Sequence, residues 1–252
     1  MKRLLLIDAD VLVHKVSRAA EHKVRWPNGV WTWYADEQET MMYLDNYLAS
    51  LFNKLGTEEC VMCISSSTNF RKDVYADYKA HRNNPDSYEP MMKQFLRDYM
   101  MENFDSFLID DLEADDVLGI LMTSPGYKPE YEKVLCTIDK DLDTIPGMHW
   151  NLDKDELYDV SLEDADRKFF HQMLTGDRVD NIPGCPGYGP KTADKLLDKH
   201  DPVNWYKEIV ACYRHEGYDE KYAVTMARLV RILRAEDWDA KNKKVKLWQY
   251  NK

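Results

Sequence analysis

Cysteine is scarce in this 252-residue sequence, and long apolar runs are missing from it. Of five cysteines, Cys60 and Cys63 form a CxxC, but inside EECVMCISS, which reads as a strand. Residues three apart on a strand point to opposite faces, and no second CxxC follows. A disulfide framework and a zinc site are therefore excluded, leaving buried thiols in a reducing compartment. No apolar run approaches the ~20 residues of a membrane span. The opening MKRLLLIDAD turns acidic too early for a signal peptide. The expectation is a soluble protein of the cytoplasm with no membrane partner. Basic residues are also in the minority, 34 against 45 acidic, for a net charge of −11. That argues against a surface that is basic all over, as in many nucleic-acid binders, and leaves room for a local basic stripe. There are no repeats and no low-complexity segment. With 44% apolar residues the chain can build one large domain, or a core with a smaller module attached.

What is present alternates. RLLLID, CVMCIS, SFLID and KVLCTID read as short buried strands. Between them, residues 10–22, EQETMMYLDNYLASLFNKL, MMKQFLRDYMM and DDVLGILM read as helices, the second with Met41, Leu44, Leu48, Leu51 and Phe52 at helical spacing. VRWPNGVWTWY looks like a hairpin of aromatic-rich arms around Pro27-Asn28-Gly29, and HWNLDKDELYDV like a second hairpin. Strands alternating with helices predict an α/β fold with a mostly parallel sheet. From about residue 161 onward the strand signal stops and the chain reads as helices, interrupted by IPGCPGYGP.

Carboxylates recur where those strands end and helices begin, which is where open α/β sheets carry their sites. The stations are Asp8, then Glu113, Asp115 and Asp116, then Asp139 and Asp141, and finally Asp177 and Asp180. Taken singly, each is explained as a helix cap or turn residue. Taken together in one pocket, eight carboxylates cannot all stay ionised and bare. Two full charges ~5 Å apart repel by about 3 kcal/mol at an effective dielectric of 20. Either protons are taken up or hard divalent cations neutralise the site. Oxygen-only ligands favour Mg2+ or Mn2+ over zinc, and two such ions would activate water, orient a phosphodiester and stabilise the leaving oxygen.

Two further segments suit nucleic acid. NFRKDVYADYKAHRN sets Arg71, Lys72, Lys79, His81 and Arg82 among Phe70, Tyr75 and Tyr78. Cations interleaved with aromatics fit a single strand, phosphates on the former and bases on the latter. If the stretch is helical, Tyr75, Tyr78, Lys79 and Arg82 line one face. A solvated basic helix packed by its tyrosines is the competing reading. In IPGCPGYGPKTADKLL, Gly184, Gly187 and Gly189 precede Lys191 and Thr192 at a helix start. Glycines allow close approach to phosphate, and the helix N-terminus completes an anion site. A plain helix–turn–helix corner is the alternative.

The ordered set LLLID, FRKDVYADYKAHR, LEADDVLGIL, TIDKDLDTIPG and LTGDRVDNIPGCPGYGPKTADKLL resembles the 5′ nuclease / flap endonuclease family, over about residues 3–200. The likeness is to the 5′ nuclease domain of bacterial DNA polymerase I and its stand-alone phage relatives. It implies a PIN-like α/β core, a short helical arch and a helix–three-turn–helix (helix-hairpin-helix) element. It also implies two-metal-ion, Mg2+- or Mn2+-dependent hydrolysis at 5′ ends or flaps of DNA. On this chain Asp8, Glu113, Asp115 and Asp116 look like a first metal cluster, and Asp139, Asp141, Asp177 and Asp180 a second. Asp8, Asp116, Lys79 and Arg82 would be catalytic. Lys79 and Arg82 match the residues that hold the scissile phosphate, and Tyr78 matches the adjoining aromatic. Lys15 sits where relatives carry a basic residue, and Arg71 joins the same DNA-binding set. Segment 184–192, with Gly184, Gly187, Gly189, Lys191 and Thr192, matches a duplex-gripping hairpin where relatives bind K+ through backbone carbonyls. Two departures stand out. Ser65 or Ser66 replaces an Asp after the second strand, and Asp10 is an extra carboxylate that could supply the missing charge. The stretch from Lys79 to Glu113 is too short for a long closed arch.

The resemblance divides the chain into a nuclease core over 1–160 with its arch at 70–92 and a helical DNA-binding region over 161–235 with the helix–three-turn–helix at 174–200. A basic tail over 236–252 follows, frayed by default. Expected partners are DNA with a 5′ end, nick or flap, an RNA–DNA hybrid as a further substrate, and a replication polymerase, with the protein a monomer in a bacterial or phage-infected cell. Two rival readings remain. LLLIDADVL fits an aspartate phosphatase, with Asp8 as nucleophile and Asp10 as acid/base, and a degenerate site would leave a DNA-junction binding module without catalysis.

Overall fold

The computed structural model describes residues 2–82 and 88–250. Its centre is a six-stranded sheet in the order β5-β4-β1-β6-β7-β8. The strands are β1 (Lys2–Asp8), β4 (Cys60–Ile64), β5 (Ser106–Leu108), β6 (Tyr131–Thr137), β7 (Gly147–Asn151) and β8 (Glu156–Val160). All pair in parallel except β8, which closes the edge as an antiparallel hairpin with β7. A parallel sheet buried on both faces needs apolar residues at every position, and LLLI of β1 supplies them. Leu5 and Ile7 face α1 (Ala9–Ala19), α2 (Glu37–Leu55) and α4 (Lys93–Asn103), whereas Leu4 and Leu6 face α5 (Ala114–Thr123). Cys60 and Cys63 pack into these two opposite layers, as the strand reading of CxxC requires. All five cysteines are free thiols.

From Ser161 the chain is helical: α6 (Leu162–Thr175), α7 (Pro190–Lys199), α8 (Trp205–His215) and α9 (Glu220–Val230) build a third core around Phe169, Tyr213 and Met226. The strand signal does not stop entirely, because β9 (Trp238–Asp239) and β10 (Lys244–Val245) form a small hairpin. As far as Tyr250 the C-terminal segment is packed rather than frayed. Trp248 packs on Phe169 and Tyr206, and the Tyr250 ring stacks on Tyr206 at 4.0 Å. Among the described residues no helix is long and apolar enough to cross a membrane.

One expectation about the basic segment needs correction. It is not one helix: α3 (Arg71–Val74) ends at once, and a separate 3-10 turn spans Ala80–Arg82. Lys79 between them has a positive φ of 54°, which breaks any continuous helical face. Periodicity suggested a helix, but tertiary contacts override it, since Arg71 and Tyr78 are both drawn into the interior. Of the arch expected at 70–92, residues 83–87 lie outside the described residues.

β2 (His22–Arg25) and β3 (Trp31–Tyr34) form the aromatic hairpin as expected, standing apart from the main sheet.

Candidate active site

The C-terminal ends of β1 and β6 lie side by side in the sheet, and each delivers an acidic residue that begins a helix. Asp8 caps α1, its Oδ1 accepting the Val11 N–H at 3.1 Å. Asp139 caps the following 3-10 turn, accepting the Asp141 N–H at 2.8 Å. Glu113 begins α5, which puts Asp115 in the helix's first turn. The cap reading and the functional reading are thus both true of these residues, since a helix N-terminus is also a place that tolerates negative charge.

The fourth station arrives on a tight hairpin between α6 and α7. Asp177 and Ile182 exchange both backbone hydrogen bonds, at 2.9 and 2.7 Å. This hairpin is fastened to the basic segment, with the Lys79 N–H donating to the Asp180 carbonyl at 2.9 Å and Asn181 Nδ2 to the Asp77 carbonyl at 2.8 Å. The result is one cavity of about 780 Å³. Asp8, Asp10, Glu113, Asp115, Asp139, Asp141, Asp177 and Asp180 line it, together with Lys15, Lys79 and Arg82.

The charges in this cavity fall into two states. Some are compensated. Lys79 Nζ sits on Glu113 and lies 3.4 Å from Asp180, and Arg82 holds Asp180 at 2.5 Å. Burial opposes ionisation of Glu113, but Arg71 and Lys79 outweigh it and hold the carboxyl below its ordinary range. Others have no cation within hydrogen-bond distance. Asp8 keeps only the Val11 N–H and the Thr137 hydroxyl, the latter at 2.8 Å. Burial first, then Asp10 and Asp139, push its carboxyl up. Asp115 is raised well above the ordinary range by burial and then by Asp8, Asp139, Glu113 and Asp116. Asp141 accepts from Gln172 Nε2 at 2.6 Å and has Lys168 Nζ 3.9 Å away, yet burial and the charges of Asp139, Asp177 and Asp180 outweigh that cation and push it up to about 6. Asp139 is a repelling neighbour common to all three.

That mutual repulsion tests whether the site fits the divalent metals that the expectations call for. Raised, oxygen-only donors facing one another suit hard cations. Among the described residues no three His, Cys, Asp or Glu converge as a closed metal cage. Mg2+ does not require one, because it keeps several waters and takes only one or two carboxylates. Asp8, Asp115, Asp139, Asp141 and Asp177 therefore fit as the residues that would hold such ions.

Other expected residues sit elsewhere. Asp116 is fully buried and outside the cavity lining. Both its oxygens accept from Arg71, at 2.7 Å each, and Oδ1 also takes the Leu233 N–H at 3.1 Å. It is a structural anion beneath the site, and its assignment as metal ligand and catalytic residue is corrected. Arg71, 3% exposed, is spent on that pair and on the carbonyls of Leu229 and Arg231, so it is not a DNA-contacting cation. Tyr78, 2% exposed, donates its hydroxyl toward Glu113 at 2.9 Å and Asp180 at 3.1 Å and cannot stack on a base. Gly184 has a positive φ of 69°, and a side chain there would collide with the backbone of Leu174, Thr175 and Gly176, so its close approach is internal rather than to a phosphate. Gly187, Gly189, Lys191 and Thr192 are exposed around the start of α7. Lys15 lines the cavity but rests on Asp153.

Asp10 does stand beside Ser65, accepting its N–H at 3.3 Å. It is not a free carboxylate, however, because Arg97 holds it at 2.8 Å and also donates to the Ser65 carbonyl at 2.6 Å. An anion fixed in this way is unsuited to the proton-donor role of the phosphatase reading. Arg97 and Gln172 were missed by the sequence reading. Both lie on amphipathic helices where a polar residue among apolar neighbours gives no local sign of its distant partner.

Comparison with known proteins identifies the family and the fold. The family model for the 5′-3′ exonuclease, N-terminal resolvase-like domain, matches residues 3–162. An exodeoxyribonuclease of Enterobacteria phage T3 is 25% identical, the alignment covering 98% of this chain and 93% of that protein. An exonuclease of Escherichia phage T7 is also 25% identical, covering 98% and 94%. DNA polymerase I of Rhizobium leguminosarum is 32% identical over 67% of this chain and 18% of its own length. Among solved structures, the bacteriophage T5 flap endonuclease, in a pseudo-enzyme-product complex with DNA and metal ions, superposes with a TM-score of 0.65 at 16% identity, covering 91% of this chain and 89% of that one. The fold is shared.

Proposed function

The chain belongs to the 5′-3′ exonuclease family, and from that premise we propose that it is a divalent-metal-dependent nuclease acting at the 5′ ends and 5′ flaps of DNA. The observation that carries the proposal is the convergence, in one cavity, of uncompensated carboxylates with Lys79 and Arg82. Mg2+ or Mn2+ ions held by Asp8, Asp115, Asp139, Asp141 and Asp177 would neutralise the site, polarise the scissile phosphate and favour ionisation of the attacking water.

The chain's own residues do the rest. Lys79 and Arg82 lie on Glu113 and Asp180, and a phosphate entering the cavity competes for the same cations. An ammonium and a guanidinium that swing from carboxylate to phosphate draw the scissile group toward the acidic wall and stabilise charge on its oxygens. Gln172 fixes the orientation of Asp141, and Thr137 that of Asp8. Water attacks the phosphorus in line and gives up a proton, the P–O3′ bond breaks, the 3′ oxygen gains a proton, and the phosphate stays on the 5′ oxygen of the downstream nucleotide. The exposed start of α7, with Gly187, Gly189, Lys191 and Thr192, is suited to duplex phosphates, and K+ held by backbone carbonyls nearby belongs to the same proposal. An RNA–DNA hybrid presents the same 5′ phosphodiester and is a candidate substrate, and a replication polymerase a candidate partner.

Product mapping on 5′-labelled flap, nicked, blunt and RNA-primed duplexes, with and without Mg2+, tests the reading. Binding in EDTA without cleavage on adding metal would favour a junction-binding module instead. Lys79→Ala is expected to lower the cleavage rate more than duplex affinity, and equal losses in both would contradict its assigned role.

A further inference from the structure

The β2–β3 hairpin buries almost nothing. Trp26, Trp31 and Tyr34 are at least half exposed and Trp33 is 39% exposed. An isolated two-stranded hairpin is at best marginally stable, so a display of indoles that feeds no core calls for another explanation. The cross-strand register supplies it. Lys23 faces Trp33 and Arg25 faces Trp31, which puts two cations and two indoles on one face. Lys23 lies 4.1 Å from the centre of the Trp33 ring and Arg25 5.7 Å from that of Trp31. The row continues off the hairpin, with Tyr88 packing on Trp33 at 5.4 Å and Arg18 sitting 4.5 Å over Tyr88. Arg18 is 3.7 Å from Glu21. Among the described residues Lys23 and Arg25 have no carboxylate partner. Cation and ring thus alternate from the hairpin to α1, within a chain of net charge −11.

We propose that this ladder binds the single-stranded part of the DNA substrate, a 5′ flap, with bases stacked on Trp31, Trp33 and Tyr88 and phosphates on Lys23, Arg25 and Arg18. The inference rests on the nuclease reading for the identity of the strand. Side chains on one face of a strand repeat every ~6.8 Å, about twice the ~3.4 Å rise per nucleotide of a stacked strand. The ladder therefore fits bases pulled out of their stack rather than a duplex, whose base faces are covered. Its place also fits. Asp8 and Asp10 open α1 at the cavity and Arg18 lies in the last turn, so the inner end of the ladder stands about 12 Å along the helix from the acidic wall.

The test uses a Trp31→Ala/Trp33→Ala double variant of the full chain. Both residues are exposed and away from the cavity, so folding and cleavage of a flush nicked duplex are expected to be unchanged. In EDTA, a 12-residue oligothymidine is expected to quench the tryptophan fluorescence of the parent protein, and the double variant to bind it about tenfold or more weakly. With Mg2+, the variant's preference for a long flap over a flush nick is expected to fall by a similar factor, and Trp31→Phe/Trp33→Phe to restore most of it. Unchanged oligothymidine affinity and flap preference would overturn the ladder while leaving the nuclease reading intact. A parent protein that binds oligothymidine through the ladder but cuts no substrate would do the reverse. Concentration-dependent self-association lost in the double variant, without oligothymidine binding, would make the surface a protein interface and overturn the proposal.

Discussion

Asp115 and Asp116 are neighbours in sequence and belong to different regions of the molecule. Asp116 lies in a charge-balanced seam beneath the site, where Arg71 meets it with two hydrogen bonds of 2.7 Å. Nearby in the same seam, Arg231 meets Asp237 at 2.8 Å. Asp115 lies on the cavity wall with Asp8 and Asp139, where repulsion adds to burial. A single turn of helix thus carries a carboxylate that holds the fold and one left without a cation. Burial of a charge is costly in both places. For Asp116 that cost is offset by Arg71, whereas Asp8 and Asp115 have no such partner, and their part of the wall is therefore where cations would bind.

The largest effect should come from breaking the balanced side. Asp116→Asn leaves the Arg71 guanidinium buried without its partner, a loss of about 3–5 kcal/mol. In a chain of this size that lowers Tm by roughly 6–20 °C, readable by circular dichroism. Arg71→Met/Asp116→Leu removes both charges and is expected to recover most of the loss. A Tm within a degree or two of the parent for Asp116→Asn would show that the seam is not structural.

The wall should respond with the opposite sign. Asp115→Asn removes a repelling charge, so in EDTA its Tm is expected to rise by about 2–4 °C, the equivalent of about 1 kcal/mol, while cleavage with Mg2+ falls by about 100-fold or more. The pH dependence follows from the same charges. Asp8, Asp115 and Asp141 titrate higher in the folded chain than in the unfolded one, Asp141 at about 6. The folded state binds more protons, so their contribution to stability is fully present below the unfolded value and is lost as pH rises through the folded one. Glu113, held low, runs the other way and matters only at more acidic pH. In EDTA the advantage of pH 5.5 over pH 8 is therefore expected to be larger for the parent than for Asp115→Asn. Added Mg2+ should remove much of the deficit at pH 8. Equal pH slopes for the two proteins would count against an uncompensated wall.

How far the sequence anticipated these regions depends on the range of the interactions. The stations at Asp8, Glu113, Asp139 and Asp177 were legible because each is a local pattern, an acid at a strand end or helix start. The sheet was legible from LLLI, CVMCI and KVLCT for the same reason. What separates Asp115 from Asp116 was not, because it depends on Arg71, 45 residues away. The pairing of Arg97 with Asp10 spans 87 residues, and that of Gln172 with Asp141 spans 31. The basic segment misled for a related reason. Its tyrosines and cations repeat at helical spacing, but Arg71 and Tyr78 are recruited into the interior from one side and Lys79 into the cavity from the other, and the backbone breaks between them.

Asp10 sharpens the comparison because it sits between the two regions, lining the cavity yet paired with Arg97. Had it been free, Asp10→Asn would be expected to weaken Mg2+ dependence markedly. With Arg97 at 2.8 Å the pair is already neutral, so removing the carboxylate removes little attraction for a cation. Partly exposed pairs of this kind are worth about 0–1 kcal/mol. Asp10→Asn should therefore raise the Mg2+ concentration for half-maximal cleavage by no more than about threefold. Arg97→Met should lower that concentration, because it leaves Asp10 uncompensated and converts it into a member of the wall. A large loss of Mg2+ affinity in Asp10→Asn, with no gain in Arg97→Met, would place Asp10 among the ion-holding carboxylates and Arg97 merely beside it.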